Sequence, residues 1–153
     1  MVRVIVTLVF APLLLCGASQ VEISAEHFFA SEKKGENILR GNVVVKRDKD
    51  ILHASKLVVL TNKKRKATRY IASGNTRFEI VLKDKLYKGS GDELIYDVAK
   101  DTYEINGNAV VEEPATNKKV SGDKIIIDRK QEAYSVFSDE QKPAKFVFEL
   151  EEK

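Results

Sequence analysis

His27 and His53 are the only imidazoles in the chain, and neither stands at metal-ligand spacing from a second His or Cys. Serines are scattered and no Gly-x-Ser-x-Gly elbow occurs, so no nucleophile is matched to a base. Asp92-Glu93 and Glu112-Glu113 are adjacent carboxylates. On a strand, neighbours point to opposite faces, which separates each pair too far for shared acid–base work. Gly89-Ser90-Gly91 precedes no helical pattern and so forms no phosphate loop. Lys63-Lys64-Arg65-Lys66 is strongly basic but has no interleaved aromatics, which argues for a solvated turn and against nucleic acid, with contact to lipid phosphates the alternative. No catalytic set, metal or cofactor is indicated.

What the residues offer instead is an apolar wall. Val21, Ile23, Val43, Val45, Leu57, Val59, Phe78, Ile80, Leu94, Tyr96, Val98, Ile125 and Ile127 recur in one phase of a period-two alternation. Such a face either fills a sandwich core or contacts an apolar ligand, and alternation alone favours the core. The positioning elements are strands. Phe78, Ile80 and Leu82 alternate with Arg77, Glu79 and Val81, and polar turns such as Lys33–Asn37, Asp48–Asp50 and Asn117–Lys119 punctuate the runs. No proline occurs between Pro12 and Pro114, as long paired strands require. No helix is expected in residues 20–153.

The strands belong to a repeat. Gly-Asn occurs at Gly41-Asn42, Gly74-Asn75 and Gly107-Asn108, 33 residues apart each time. A second signal, a small residue followed by polar ones, stands 16, 20 and 16 residues upstream at Ala25-Glu26, Ala54-Ser55 and Gly91-Asp92. A fourth copy at Gly122-Asp123 reaches Ser138 at the same offset without its Gly-Asn, as a terminal repeat with no outer neighbour can. Stacked units of two strand segments build two facing sheets around one elongated interior. The end strands, Val21–Phe29 and Lys145–Leu150, are candidate free edges.

The first 19 residues read as a secretory signal, with Arg3, an apolar run from Val4 to Leu15, and small residues at Cys16-Gly17-Ala18-Ser19. Cleavage is expected near Ala18 or Ser19, leaving a domain over 20–150 that holds no cysteine. Retention as an anchor and lipidation at Cys16 are the alternatives. A net charge of +3 makes no case by itself for a nucleic-acid or membrane-surface protein.

Leu39-Arg40-Gly41-Asn42-Val43-Val44-Val45, the stretch from Gly91 to Asp101, Ile105-Asn106-Gly107-Asn108-Ala109 and Val120-Ser121-Gly122-Asp123-Lys124-Ile125 together resemble the OstA-like family, in its LptA-like branch. The resemblance runs from about Val21 to Asp139; it departs at the turn around Asn62 to Lys66, which lengthens one spacing to 20. It implies an all-β, twisted β-jellyroll of stacked V-shaped strands, open at both ends, with two facing antiparallel sheets. It further implies a non-enzymatic, periplasmic carrier of lipopolysaccharide, with the acyl chains of lipid A inside and the sugars outside. The partners implied are inner-membrane LptC-like and outer-membrane LptD-like components of the same fold, and head-to-tail copies of the chain itself. A membrane-anchored LptC-like role, or a β-solenoid scaffold without lipid cargo, are the other readings. The energetics suit a carrier: a buried methylene is worth ~0.8 kcal/mol, so an acyl chain of ~12 carbons contributes on the order of 9 kcal/mol.

Overall fold

Alternating apolar and polar residues between turn signals fold into long antiparallel strands, each paired with the next. The computed structural model describes residues 4–8 and 20–150. These residues form eleven strands in chain order: β1 (Val4–Leu8), β2 (Val21–Ala25), β3 (His27–Ser31), β4 (Glu36–Arg47), β5 (Asp50–Thr61), β6 (Ala67–Leu82), β7 (Lys85–Asp97), β8 (Thr102–Glu113), β9 (Lys118–Asp128), β10 (Ala133–Phe137) and β11 (Lys145–Val147). Among the described residues there is no α-helix, and Pro114–Thr116 forms one 3-10 turn.

The path β1-β2-β4-β5-β6-β7-β8-β9-β10 does not return on itself, so the sheet stays open and is not a barrel. Every strand from β4 to β9 is broken in its pairing at one common line across the sheet, and the β5–β6 pair is irregular a second time near its end, between Leu60 and Thr61. The common breaks fall at Gly41-Asn42, Ala54-Ser55, Gly74-Asn75, Gly91-Asp92, Gly107-Asn108 and Gly122-Asp123. At this spine each strand bends from one wall of a V into the other. We call the wall containing Leu39, Leu57 and Leu94 wall I and that containing Val43, Phe78 and Val111 wall II. The end strands are split between the walls: β3 and β10 border wall I, while β2 with β1 and β11 border wall II.

The two repeat signals are two sides of this bend. At each Gly-Asn both residues take positive φ, +76° and +47° at Gly107 and Asn108, which L side chains other than Asn and Asp rarely accept. The small-polar signal is its neighbour on the adjoining strand. Asn108 Nδ2 donates to Asp92 Oδ2 at 3.3 Å, and the Asp123 amide donates to Ser138 Oγ at 3.3 Å. The 16-residue offset is the length of one hairpin from bend to bend.

Candidate lipid-binding interior

Cross-strand ladders line both walls. In wall I, Leu39, Leu57, Ala72, Leu94, Ile105 and Ile125 stand directly opposite one another in turn, ending on Val136. In wall II the row runs Ile23, Val45, Leu52, Phe78, Gly89, Val111, Val120 and Phe146. Gly89 leaves room for the Phe78 ring, which a Cβ there would strike. Each ladder crosses the stack from its first units to its last, so the apolar surface is continuous.

Of the residues expected in the wall, Ile23, Val43, Leu57, Val59, Phe78, Ile80, Leu94, Ile125 and Ile127 are buried in one cluster, with Val21, Val45 and Tyr96 half-buried against it. Val98 is corrected: it is 41% exposed, because β7 ends at Asp97 and Val98 lies in the following turn, its amide bonded to the Thr68 carbonyl. The run from Val21 to Phe29 is strand as expected, and among the described residues β3 pairs only with β4. The run is two strands broken at Ala25-Glu26, and the β2 part is paired to Val4–Leu8. At the other terminus Lys145–Val147 pairs with β9, while residues 148–150 form no strand. Cys16 and the expected cleavage point lie outside the described residues.

Toward the last units the interior opens between the walls. A cavity of about 560 Å³ lies there, within the ~300–1,000 Å³ usual for small-ligand pockets. Its apolar lining includes Val81, Leu82, Tyr87, Val111, Val120, Ile125, Ile127 and Tyr134. Only Ile125 and Ile127 among these were expected from sequence. Its charged lining is balanced, with Lys83, Lys85, Lys118 and Arg129 beside Asp101, Asp128, Glu132 and the buried Glu113, whose carboxylate accepts from Thr116 Oγ1 at 2.8 Å. Among the described residues no group of three or more His, Cys, Asp or Glu could hold a metal ion.

Polar groups clasp the walls together away from the spine, a feature the alternation did not reveal. Arg47, inward on wall II, donates to the Tyr96 and Tyr103 hydroxyls of wall I, both at 3.3 Å, and its guanidinium lies 5.0 Å from the centre of the Tyr96 ring. Tyr96 in turn donates to Asp101 at 2.8 Å. Arg129 reaches Asp50 across the gap at 3.9 Å, and Lys83 pairs with Glu132 at 2.6 Å. The signal was present as an inward-phase arginine at the end of an apolar strand, legible only once a tyrosine partner is placed opposite.

Burial, partly offset by Arg47, pushes the Tyr103 hydroxyl up to about 12. Unfolded tyrosine ionises near 10, so this group's contribution is complete below pH 10 and is lost as pH rises through 12. The wild-type protein is expected to lose about 2 kcal/mol over that window that Tyr103→Phe does not lose, measured by urea unfolding at stepped pH. Equal slopes in the two proteins would contradict the assignment.

The bent, open antiparallel sheet with a continuous apolar interior defines a class: a β-jellyroll of stacked V-shaped strands. Residues 22–133 match the family described as LptA/(LptD N-terminal domain) LPS transport protein. The chain belongs to this family, whose members are transport proteins. The solved structure of LptH, the LptA homologous periplasmic component of the conserved lipopolysaccharide transport device from Pseudomonas aeruginosa, superposes with a TM-score of 0.73. The alignment covers 86% of this chain and 95% of that one at 16% identity, which is a likeness of fold. No curated protein matches the chain.

Proposed function

We propose that this protein is a non-enzymatic carrier of lipopolysaccharide in the periplasm, holding acyl chains of lipid A between its two walls and passing them along the stack. The observation that carries this reading is the pair of unbroken apolar ladders ending at an open cavity. The family match supports the cargo. A carrier needs continuous apolar surface, and among the described residues the inward charges are confined to the clasp and to the charged lining of the cavity, Glu113 included. Aliphatic chains then rest on the ladders while phosphorylated sugars stay outside, because burying an unpaired charge is costly.

In this reading residues 1–19 are removed on export and 20–150 form the working domain. Removal would free the edge of β2, now paired to Val4–Leu8 over five residues. At the opposite end Tyr134, Phe137 and Phe146 are about half exposed on β10 and β11. Pairing of one free edge with the other, head to tail, does not close and so extends the stack. The same edges suit LptC-like and LptD-like components of the same fold on the inner and outer membranes.

Filling the cavity tests the cargo assignment. Val111→Trp places an indole where acyl chains would lie. Excluding even two methylenes at ~0.8 kcal/mol each weakens binding about tenfold, read as lipopolysaccharide retained by the purified protein. A folded Val111→Trp protein that retains as much lipopolysaccharide as wild type would remove the cavity from the reading.

A further inference from the structure

The outer faces of the two walls differ in chemistry, although the same strands build both. On wall II the outward row reads Glu22, Lys46, Ile51, Glu79, Lys88, Glu112 and Lys119, opposite one another in turn. Lys88 and Glu79 are 3.5 Å apart, and this alternation of charges makes a solvated surface. On wall I the equivalent row begins Phe29, Ile38, Val58, Ile71 and Ile95, five apolar residues on five consecutive strands, before Glu104 interrupts it. Phe29 is 52% exposed and the other four are half-buried. An apolar row of this length on an outer face needs an explanation that scattered exposed residues do not.

The second observation is charge. The turns after β3 and β5 are about thirty residues apart in sequence but adjacent at the end of wall I, joined by the Thr61 amide on the Gly35 carbonyl at 2.9 Å and by Arg65 with Glu32 at 3.1 Å. Together they expose Lys33, Lys34, Lys63, Lys64, Arg65 and Lys66 against only two carboxylates, Glu32 and Glu36. That excess is larger than the +3 of the whole chain, which therefore conceals a strongly polarised surface. An apolar strip bordered by a cationic rim fits the interface of a bilayer whose headgroups carry phosphate. A second copy of the chain is disfavoured as occupant, because two such rims would meet.

We infer that the outer face of wall I, with Phe29 at its apolar edge and Lys63 and Lys64 in its rim, docks on the surface of an anionic phospholipid membrane. Docking holds the stack against the bilayer while the interior stays free for cargo; it stands whether or not the interior binds lipopolysaccharide.

The test is co-sedimentation of the protein as isolated from cells with phosphatidylglycerol-containing vesicles and with phosphatidylcholine vesicles, neither holding lipopolysaccharide. Wild type is expected to sediment with the anionic vesicles only, and less so as salt is raised. The rim variant K63E/K64E is expected to bind them at least about thirtyfold more weakly, and F29S to lose the part of binding that survives high salt. K46E/K49E makes the same charge change on wall II and should bind as wild type does. Circular dichroism checks that all variants are folded. Equal sedimentation with both vesicle types, equal loss in K46E/K49E, or capture of an acidic protein in place of vesicles would each overturn the inference. Val111→Trp, which tests the interior alone, should leave vesicle binding unchanged.

Discussion

Leu57→Ala is expected to destabilise the fold by about 3–4 kcal/mol, with Val58→Ala, one residue along, costing under about 1 kcal/mol. Leu57 is fully buried and stands between Leu39 and Ala72 in the wall I ladder. Ala72 is too short to close the space a truncated Leu57 would leave, so the lost transfer energy and a cavity term add. Val58 belongs to the outer row, where a smaller side chain gives up little buried area. Urea unfolding followed by circular dichroism gives both values from midpoint and slope. Similar losses at 57 and 58 would mean that the walls are not faced as described, and the apolar interior would go with them.

The second large effect is at the spine. Gly107→Val is expected to cost about 3 kcal/mol or more, since a β-branched residue is strained at φ +76° and its Cβ would fall inside the Asp92 carboxylate. Asp92 is exposed and can swing aside at the cost of the Asn108 side-chain hydrogen bond, so most of the expected cost is the backbone strain. Gly107→Ala should cost less than Gly107→Val but still be clearly destabilising. Asn108→Gly should be mild, trading one exposed hydrogen bond for easier positive φ. Thermal midpoints of the three variants give the order directly; a tolerated Gly107→Val would show that the bend does not need its glycine.

The strands, the repeat and most of the interior were legible because period-two alternation survives wherever a strand stays in one wall. It fails at the bends. In β4, β6 and β8 the Gly-Asn strand carries one extra residue at the spine, so Leu39 and Val43, or Ile105 and Ala109, stay in one parity. In β5, β7 and β9 the inward parity flips there. Leu57 gives way to Ala54 and Leu52, and Ile125 to Gly122 and Val120. A fixed phase therefore misses Leu52, Tyr87 and Val120, and the cavity is lined largely by residues from those flipped segments and their partners. Val98 fails for a simpler reason, since alternation does not say where a strand ends. The clasp was hidden because Arg47 and Tyr103 are 56 residues apart in sequence and meet only when the V is formed.

A photo-reactive side chain placed in living cells at Val111 or Ile127, which border the cavity, tests the carrier reading most directly. Positions Glu79 and Glu112 on the outer face of wall II serve as controls. Crosslinks to lipopolysaccharide from the two inner positions and not from the outer two are expected. Folded, abundant protein that captures no lipopolysaccharide from either inner position would contradict the reading and leave the interior a core that carries nothing.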